Sequence, residues 1–445
     1  MILPLVSELL ARVARRPVVE ETFEALRRSG GEVRLAGLTD SAKALLIPLA
    51  FAALGRPTVL LVETNQRAEA LLEPVRYFYR AVTGKPGRRV AHLPSHEVLP
   101  YENRSPHAEI SEDRAVALWR FTTGDADLLI APVQAAVWRM RDREFYGQLA
   151  RTIARDESIA HEDLIDFLSS AGYDRQITCE MPGQYAVRGG IIDIYSPESP
   201  QPVRVELLGD TIESIRAFDP NTQRSTNPME RARVATASGR EDDATPGGFY
   251  PGWEFREALR ENRKSTLFDL TVDPLIIADE PSLLAASIEK YRAQLAGAFD
   301  AVEDPLAEPP DKFIFDDEEW NLALQMAPRL AIEHLGVAAA ESSREFTGSA
   351  EGGERPVVAI REMRTLHTQP TTRYHGNVAA FIAEARNRIA AGENVMVSAA
   401  STGELERFAD ICHEFELPYR MGELEENATV TRLAEEGSNA PGSAI

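Results

Sequence analysis

The segment Gly37-Leu38-Thr39-Asp40-Ser41-Ala42-Lys43-Ala44 has the outline of a phosphate-binding loop, because it follows a predicted strand and opens a predicted helix. In the working pattern, G-x-x-x-x-G-K-[ST], the glycines let backbone N–H groups close around phosphates and the hydroxyl holds Mg²⁺. Here Gly37 and Lys43 are in register, but Ala42 stands at the second glycine and Ala44 at the hydroxyl position. A Cβ at Ala42 crowds the backbone's approach to a ligand, and the methyl of Ala44 coordinates nothing. Pro48, inside the following helix, is a further departure that removes a backbone hydrogen bond. A decayed phosphate loop, a chance match and a working nucleotide site all compete for this segment; the two alanines favour the first.

Leu275-Ile276-Ile277-Ala278-Asp279-Glu280 adds weight to that reading. An apolar strand ending in Asp-Glu has the form of a Walker-B element, with Asp near a metal and Glu orienting water. Alone it is equally an ordinary strand with an acidic turn; together with the loop at Gly37–Ala44, the remnant of an ATPase is the better account. Other constellations are weaker. His96, Glu97, Glu102 and His107 cluster, but the second histidine of H-E-x-x-H is missing, and Pro94, Pro100 and Pro106 break any helix that would align ligands. No Gly-x-Ser-x-Gly occurs, so a hydrolase elbow is unsupported. Cys179 and Cys412 have no CxxC partner and read as buried thiols of a cytoplasmic protein, with no metal site.

The elements that must position these residues follow from pattern and composition. The 445 residues, 44% hydrophobic and 27% charged, suffice for roughly two to four domains with cores of their own. Lys+Arg 48 against Asp+Glu 70 gives −22 and no basic run, which argues against avid non-specific nucleic-acid binding. The acidic excess gathers late, at Asp316–Glu319 and Glu423–Glu426. No stretch approaches the ~20 apolar residues of a membrane span. Met1–Val13 carries Glu8 and no basic n-region, unlike a signal peptide.

Short apolar strands alternate with helices from the start. The pattern predicts helices over Glu20–Arg28, Ala42–Leu54, Gln66–Val82 and Glu112–Thr122. Strands are predicted over Glu32–Leu35, Thr58–Glu63, Val90–Leu93 and Asp127–Val133, which together describe a doubly wound parallel sheet. After about residue 150, Arg188–Tyr195, Val203–Leu208 and Thr211–Phe218 leave no room for crossover helices, so an antiparallel domain is inserted; Gly209-Asp210 suits a hairpin turn. The α/β pattern returns with Leu275–Ala278 and a helix over Ser282–Gln294. The expected organisation is an α/β domain in two parts, 1–149 and 222–345, interrupted by an insert at 150–221. A Gly-containing linker at 346–356 then leads to a small α/β unit at 357–445, built on Val357–Ile360, Ala379–Ala391, Asn394–Ser398 and Thr402–Phe415. No strand closes that last unit, so the chain is expected to be a piece of a longer one.

Three blocks carry a family resemblance. Leu93-Pro94 through Leu99-Pro100-Tyr101-Glu102, with Ser105-Pro106 and Arg114, resembles a stretch of the bacterial transcription-repair coupling factors. Tyr185-Ala186-Val187-Arg188-Gly189-Gly190-Ile191-Ile192-Asp193-Ile194-Tyr195 is similar to a second segment of that family. Arg204 through Asp219 resembles a pattern shared by these factors and UvrB. UvrB keeps an intact phosphate loop, whereas the degenerate loop here is similar to that of the first module of the coupling factors.

The resemblance implies a non-catalytic module of nucleotide-excision repair. Its insert would recruit UvrA through Arg188, Arg204 and Leu208, the last standing where the family often has Phe. Gly37, Ala42, Lys43, Ala44, Asp279 and Glu280 would be a vestigial nucleotide site, with no catalytic residue and no cofactor in this region. RNA polymerase and DNA would be engaged by later domains, which also carry the ATP- and Mg-dependent translocase, and this half would help keep the machine autoinhibited as a monomer. Residue by residue, Arg204 and Leu208 fall on one strand face, and an arginine beside an apolar residue suits a protein interface. The bland alternative pairs Arg204 with Glu206 on a solvated face. The rival functions are a UvrB-like ATPase that binds damaged DNA, and a self-standing α/β binding protein with chance similarity.

Overall fold

The computed structural model describes residues 10–28, 31–102, 104–235, 263–303, 307–334, 362–369, 374, 376–393, 395, 397 and 402–419. The chain divides into two compact units, Ala14–Thr368 and Met1–Val13 with Gln369–Ile445. The larger unit opens with helix α1 (Pro17–Arg28), strand β1 (Glu32–Ala36), α2 (Asp40–Leu54), β2 (Thr58–Val62), α3 (Asn65–Thr83), β3 (Val90–His92), α4 (Ala108–Thr123) and β4 (Leu128–Pro132). Every residue of β2 and β4 is buried. That is why these strands read as unbroken apolar runs: a parallel strand between helical layers has no wet face to mark with polar residues.

The chain leaves this sheet after β4 and returns at β13 (Leu275–Asp279), α6 (Pro281–Asp300), α7 (Asp317–Gln325), β14 (Arg329–Ile332) and β15 (Glu362–Thr365). The seven strands lie in the order β15-β1-β14-β13-β2-β4-β3, all neighbours parallel. A doubly wound sheet is therefore confirmed. At its far edge β15 pairs with β1, so the chain beyond the expected linker still contributes to the first sheet. The linker 346–356 and the strand Val357–Ile360 lie outside the described residues, as does part of Asn394–Ser398.

Between β4 and β13 sits the insert: β5 (Ala150–Ala154), α5 (His161–Ser170), β6 (Asp174–Arg175), β7 (Gln184–Arg188), β8 (Ile191–Ile194), β9 (Val203–Leu208), β10 (Thr211–Phe218), β11 (Ser225–Met229) and β12 (Arg231–Ala235). Two sequence expectations change. Arg188–Tyr195 is not one strand, because the chain reverses at Gly189-Gly190 and makes the β7–β8 hairpin. The antiparallel strands also continue past residue 221: β11 joins the six-stranded sheet, and β12 pairs antiparallel with β5 so that the entering and leaving chains close on each other. β11 carries no apolar alternation, and β12 alternates over only five residues.

One face of the six-stranded sheet packs on α5. Leu164, Leu168, Tyr185, Ile192, Ile194, Val203, Val205, Ile212 and Ile215 form its core, and Ile153, Ala232 and Val234 of the β5–β12 pair extend it. Arg233 on β12 contacts Asp125 at 3.2 Å and Glu198 at 3.1 Å, and its guanidinium lies over the Trp119 ring. Arg120 of α4 also reaches Glu198, at 3.3 Å. These contacts tie the insert to the helix layer of the main sheet.

In the smaller unit, α8 (Val378–Ala390) and α9 (Thr402–Glu414) bury Ile382, Ala385, Cys412 and Leu417. Asn377 caps α8, accepting from Ala380 N at 3.0 Å.

A Cβ built on Gly190 would stand 2.8 Å from the backbone oxygen of Leu207, whose N–H donates to the Gly190 carbonyl at 2.8 Å. Gly190→Ala should therefore push β8 and β9 apart and cost about 1–3 kcal/mol in urea denaturation; an unchanged midpoint would contradict this packing.

Candidate functional site

At the carboxyl ends of the parallel strands, the loop Gly37–Thr39 is much shorter than a phosphate cradle. Helix α2 begins at Asp40, three residues before Lys43, and Thr39 caps it by accepting from Ala42 N at 3.4 Å. Several backbone N–H groups of the loop already donate within the chain. Lys43 N donates to Thr39 O at 2.8 Å and Leu38 N to Glu333 O at 3.0 Å. Thr39 N donates to Thr368 Oγ1 at 2.8 Å, and that hydroxyl donates to Gly37 O at 2.9 Å. Gly37 has φ +82°, and a Cβ there would meet Leu366 O at 2.7 Å, so the chain after β15 lies directly against the loop. Ala44 is fully buried, and α2 runs through Pro48 without breaking.

Lys43 is also buried, and it has turned inward. Its Nζ lies 2.6 Å from Asp279 Oδ1 and 2.5 Å from Glu280 Oε1, with Asp279 only 2% exposed. The other Asp279 oxygen accepts from Arg67 Nε at 2.7 Å, and Arg67 reaches Asp40 Oδ1 at 2.7 Å. That guanidinium holds the Asp40 carboxyl below its usual range. Glu280 sits in the left-handed region at φ +53° and also accepts from His334 N at 2.6 Å. A non-glycine residue holds that conformation only where its surroundings over-determine it, and here the two hydrogen bonds to its carboxylate do so.

The structure thus gathers Gly37, Ala42, Lys43, Ala44, Asp279 and Glu280 at one edge, as the sequence spacing implied. It also adds Arg67 and Thr368, which no motif announced. These residues do not fit a magnesium nucleotide. Both Asp279 oxygens hold cations of the chain itself, no hydroxyl is available at residue 44, and the lysine ammonium is already doubly paired. The His96 cluster likewise forms no metal site: His96 is buried against the Trp138 ring at 4.4 Å, and His107 accepts from Glu109 N at the start of α4. Among the described residues no group of three or more His, Cys, Asp or Glu side chains is placed to hold a metal.

The insert's other sheet face carries the remaining candidates. Register places Ala186, Asp193, Arg204 and Arg216 in one row, and Arg188, Ile191, Glu206 and Ser214 in the next. Arg188 and Leu208 are exposed, Leu208 at 72%. Arg204 is not a free cation. It forms a two-pronged pair with the buried Asp193, at 2.7 and 2.8 Å, donates to Gln223 O at 3.2 Å, and lies over the Phe218 ring. The expected alternative partner, Glu206, instead accepts from Ser214 at 2.7 Å. The signal for Asp193 was a lone acid within the apolar run Ile191–Ile194 opposite Arg204.

The parallel sheet is a helicase-like α/β scaffold, and the stretch that interrupts it, residues 152–239, matches the family described as the UvrB interaction domain. Curated relatives narrow this further. The transcription-repair-coupling factor of Myxococcus xanthus is 32% identical over 211 residues, 47% of this chain and 18% of the relative. Those of Escherichia coli (strain K12) and Bacillus subtilis (strain 168) are 30% and 28% identical over 46% of the chain, covering 18% and 17% of their own lengths. The chain is homologous to transcription-repair coupling factors over about half its length, and the match spans less than a fifth of each of these three relatives.

Two outcomes follow from the ion cluster. Lys43→Met leaves Asp279 and Glu280 with one cation fewer in a dry site and should cost about 3–5 kcal/mol in denaturant unfolding; a loss near zero would show that the cluster is not what holds this edge. Ala42→Gly with Ala44→Thr should not create binding of a fluorescent ATP analogue, because Arg67, Thr39 and Thr368 still fill the loop. Micromolar binding by that double variant would overturn this reading.

Proposed function

We propose that this chain is a non-catalytic, partner-binding module of a transcription-repair coupling factor, and that its insert recruits UvrA in transcription-coupled nucleotide-excision repair. On this reading the contacts with RNA polymerase and DNA, and the ATP-driven translocation, belong to other domains of the full-length protein. The main sheet is then an ATPase-derived scaffold, and the insert is its working part.

The observation that carries the reading is the two-faced insert sheet. Within the stretch that matches a UvrB interaction domain, one face is committed to the α5 core and the other presents Arg188 and Leu208 to solvent. Arginine beside a large exposed apolar residue is the composition of an interface anchor. Arg204 serves the same face indirectly: it neutralises buried Asp193 and so sets the sheet surface from which Arg188 and Leu208 project. A UvrB-like ATPase reading is opposed by the inward-turned Lys43.

Arg188 is the residue to test, since reversing Arg204 would strand Asp193 and unfold the insert whatever its role. In a titration against purified UvrA, wild-type chain should bind, and Arg188→Glu should weaken binding by about tenfold or more through like-charge repulsion. Equal affinity of the two, or no binding by folded wild type, would refute the proposal.

A further inference from the structure

The connection between β6 and β7 presents two more large apolar side chains to water, Ile177 at 89% and Met181 at 63% exposure. Scattered exposed apolar residues are ordinary, but this pair sits on a segment that is firmly held. Gln176 N donates to Tyr185 O and Gly183 N to Tyr195 O, both at 2.8 Å. The Ile177 carbonyl accepts from Arg188 at 3.1 Å. Glu180 N and Met181 N both donate to the Gln184 side-chain oxygen, at 3.1 and 3.0 Å, and the Cys179 carbonyl accepts from Gln223 at 3.2 Å. Cys179, between the two exposed residues, turns in and packs against Ala186 and Phe218.

That packing fixes the side of the sheet on which the segment lies. Ala186 pairs with Asp193, and Asp193 with Arg204, so the segment rests on the outward face that also carries Arg188 and Leu208. Asp193 is consumed by Arg204, and the exposed Arg188 and Arg216 are matched by Glu206 and by Glu180 on the segment itself, so this face is near neutral in a chain of net charge −22. An apolar pair on a firmly held backbone, continuous with Leu208 on a face without excess charge, fits the apolar sockets of a protein surface. Holding the backbone of the segment in place before contact removes part of the ordering cost of association.

We infer that Ile177 and Met181 form a preorganised apolar clamp that docks on UvrA together with Leu208, with Arg188 fixing the segment through the Ile177 carbonyl. This rests on the UvrA reading above and assigns the side chains that hold the partner once it has arrived.

The test uses the full chain and purified UvrA in a kinetic binding assay, comparing wild type, Arg188→Glu and the double variant Ile177→Ser/Met181→Ser. Both replaced side chains point into water, so the double variant should keep the wild-type melting temperature while binding about tenfold more weakly, mostly through faster dissociation. A double variant that binds like wild type, while Arg188→Glu is impaired, would overturn the clamp and leave the UvrA site standing. No binding by folded wild type would remove the underlying reading and the clamp with it.

Discussion

A buried ammonium must be neutralised by something, and in this chain Lys43 is neutralised by its own protein. Taking a lysine out of water costs several kcal/mol unless opposite charge and hydrogen bonds replace its hydration. Asp279 and Glu280 supply both at 2.6 and 2.5 Å. The pairing joins the start of α2 to the end of β13, Arg67 brings in α3, and the His334 N–H brings in the chain after β14. In open α/β sheets the crevice beyond the carboxyl ends of the strands is where ligands ordinarily bind. Here the same crevice is closed by a charge cluster of the chain itself and by Thr368 lying over Gly37 and Thr39.

That closure divides the labour in the larger unit. The parallel sheet has a helicase-like α/β architecture, and the lysine and carboxylates at its carboxyl edge are turned inward as contacts within the chain. The insert keeps a face that the fold leaves unburied. Its attachment suits presentation of that face: β5 and β12 close the neck, and Arg233, Arg120, Asp125 and Glu198 bind it to the helix layer. No helix among the described residues is long and apolar enough to cross a membrane.

The parallel sheet was legible because its strands are buried on both sides and therefore apolar throughout; Thr58–Val62 and Leu275–Asp279 announce themselves in this way. The hairpin at Gly189-Gly190 was harder to see, since Arg188–Tyr195 is a single stretch of strand-forming residues and only the two glycines mark the reversal. Strands β11 and β12 were missed because Ser225–Met229 contains Pro228 and is largely exposed, while Arg231–Ala235 is short and polar on one side. At the Lys43 cluster the motif spacing named the residues but not their partners. Lys43 meets Asp279 across 236 positions and Thr39 meets Thr368 across 329, separations at which no local pattern operates. The Arg204–Asp193 pair was not legible because Asp193 sits on the neighbouring strand, eleven positions away, inside an otherwise apolar run.

The central claim, a closed nucleotide site beside an open partner face, is tested most directly by hydrogen–deuterium exchange of the chain alone, with Mg-ATP, and with UvrA. The account predicts that UvrA slows exchange around residues 176–190 and 206–210, while Mg-ATP leaves residues 37–44 and 275–280 unchanged. Protection of residues 37–44 by Mg-ATP, or UvrA protection confined to regions outside the insert, would contradict it.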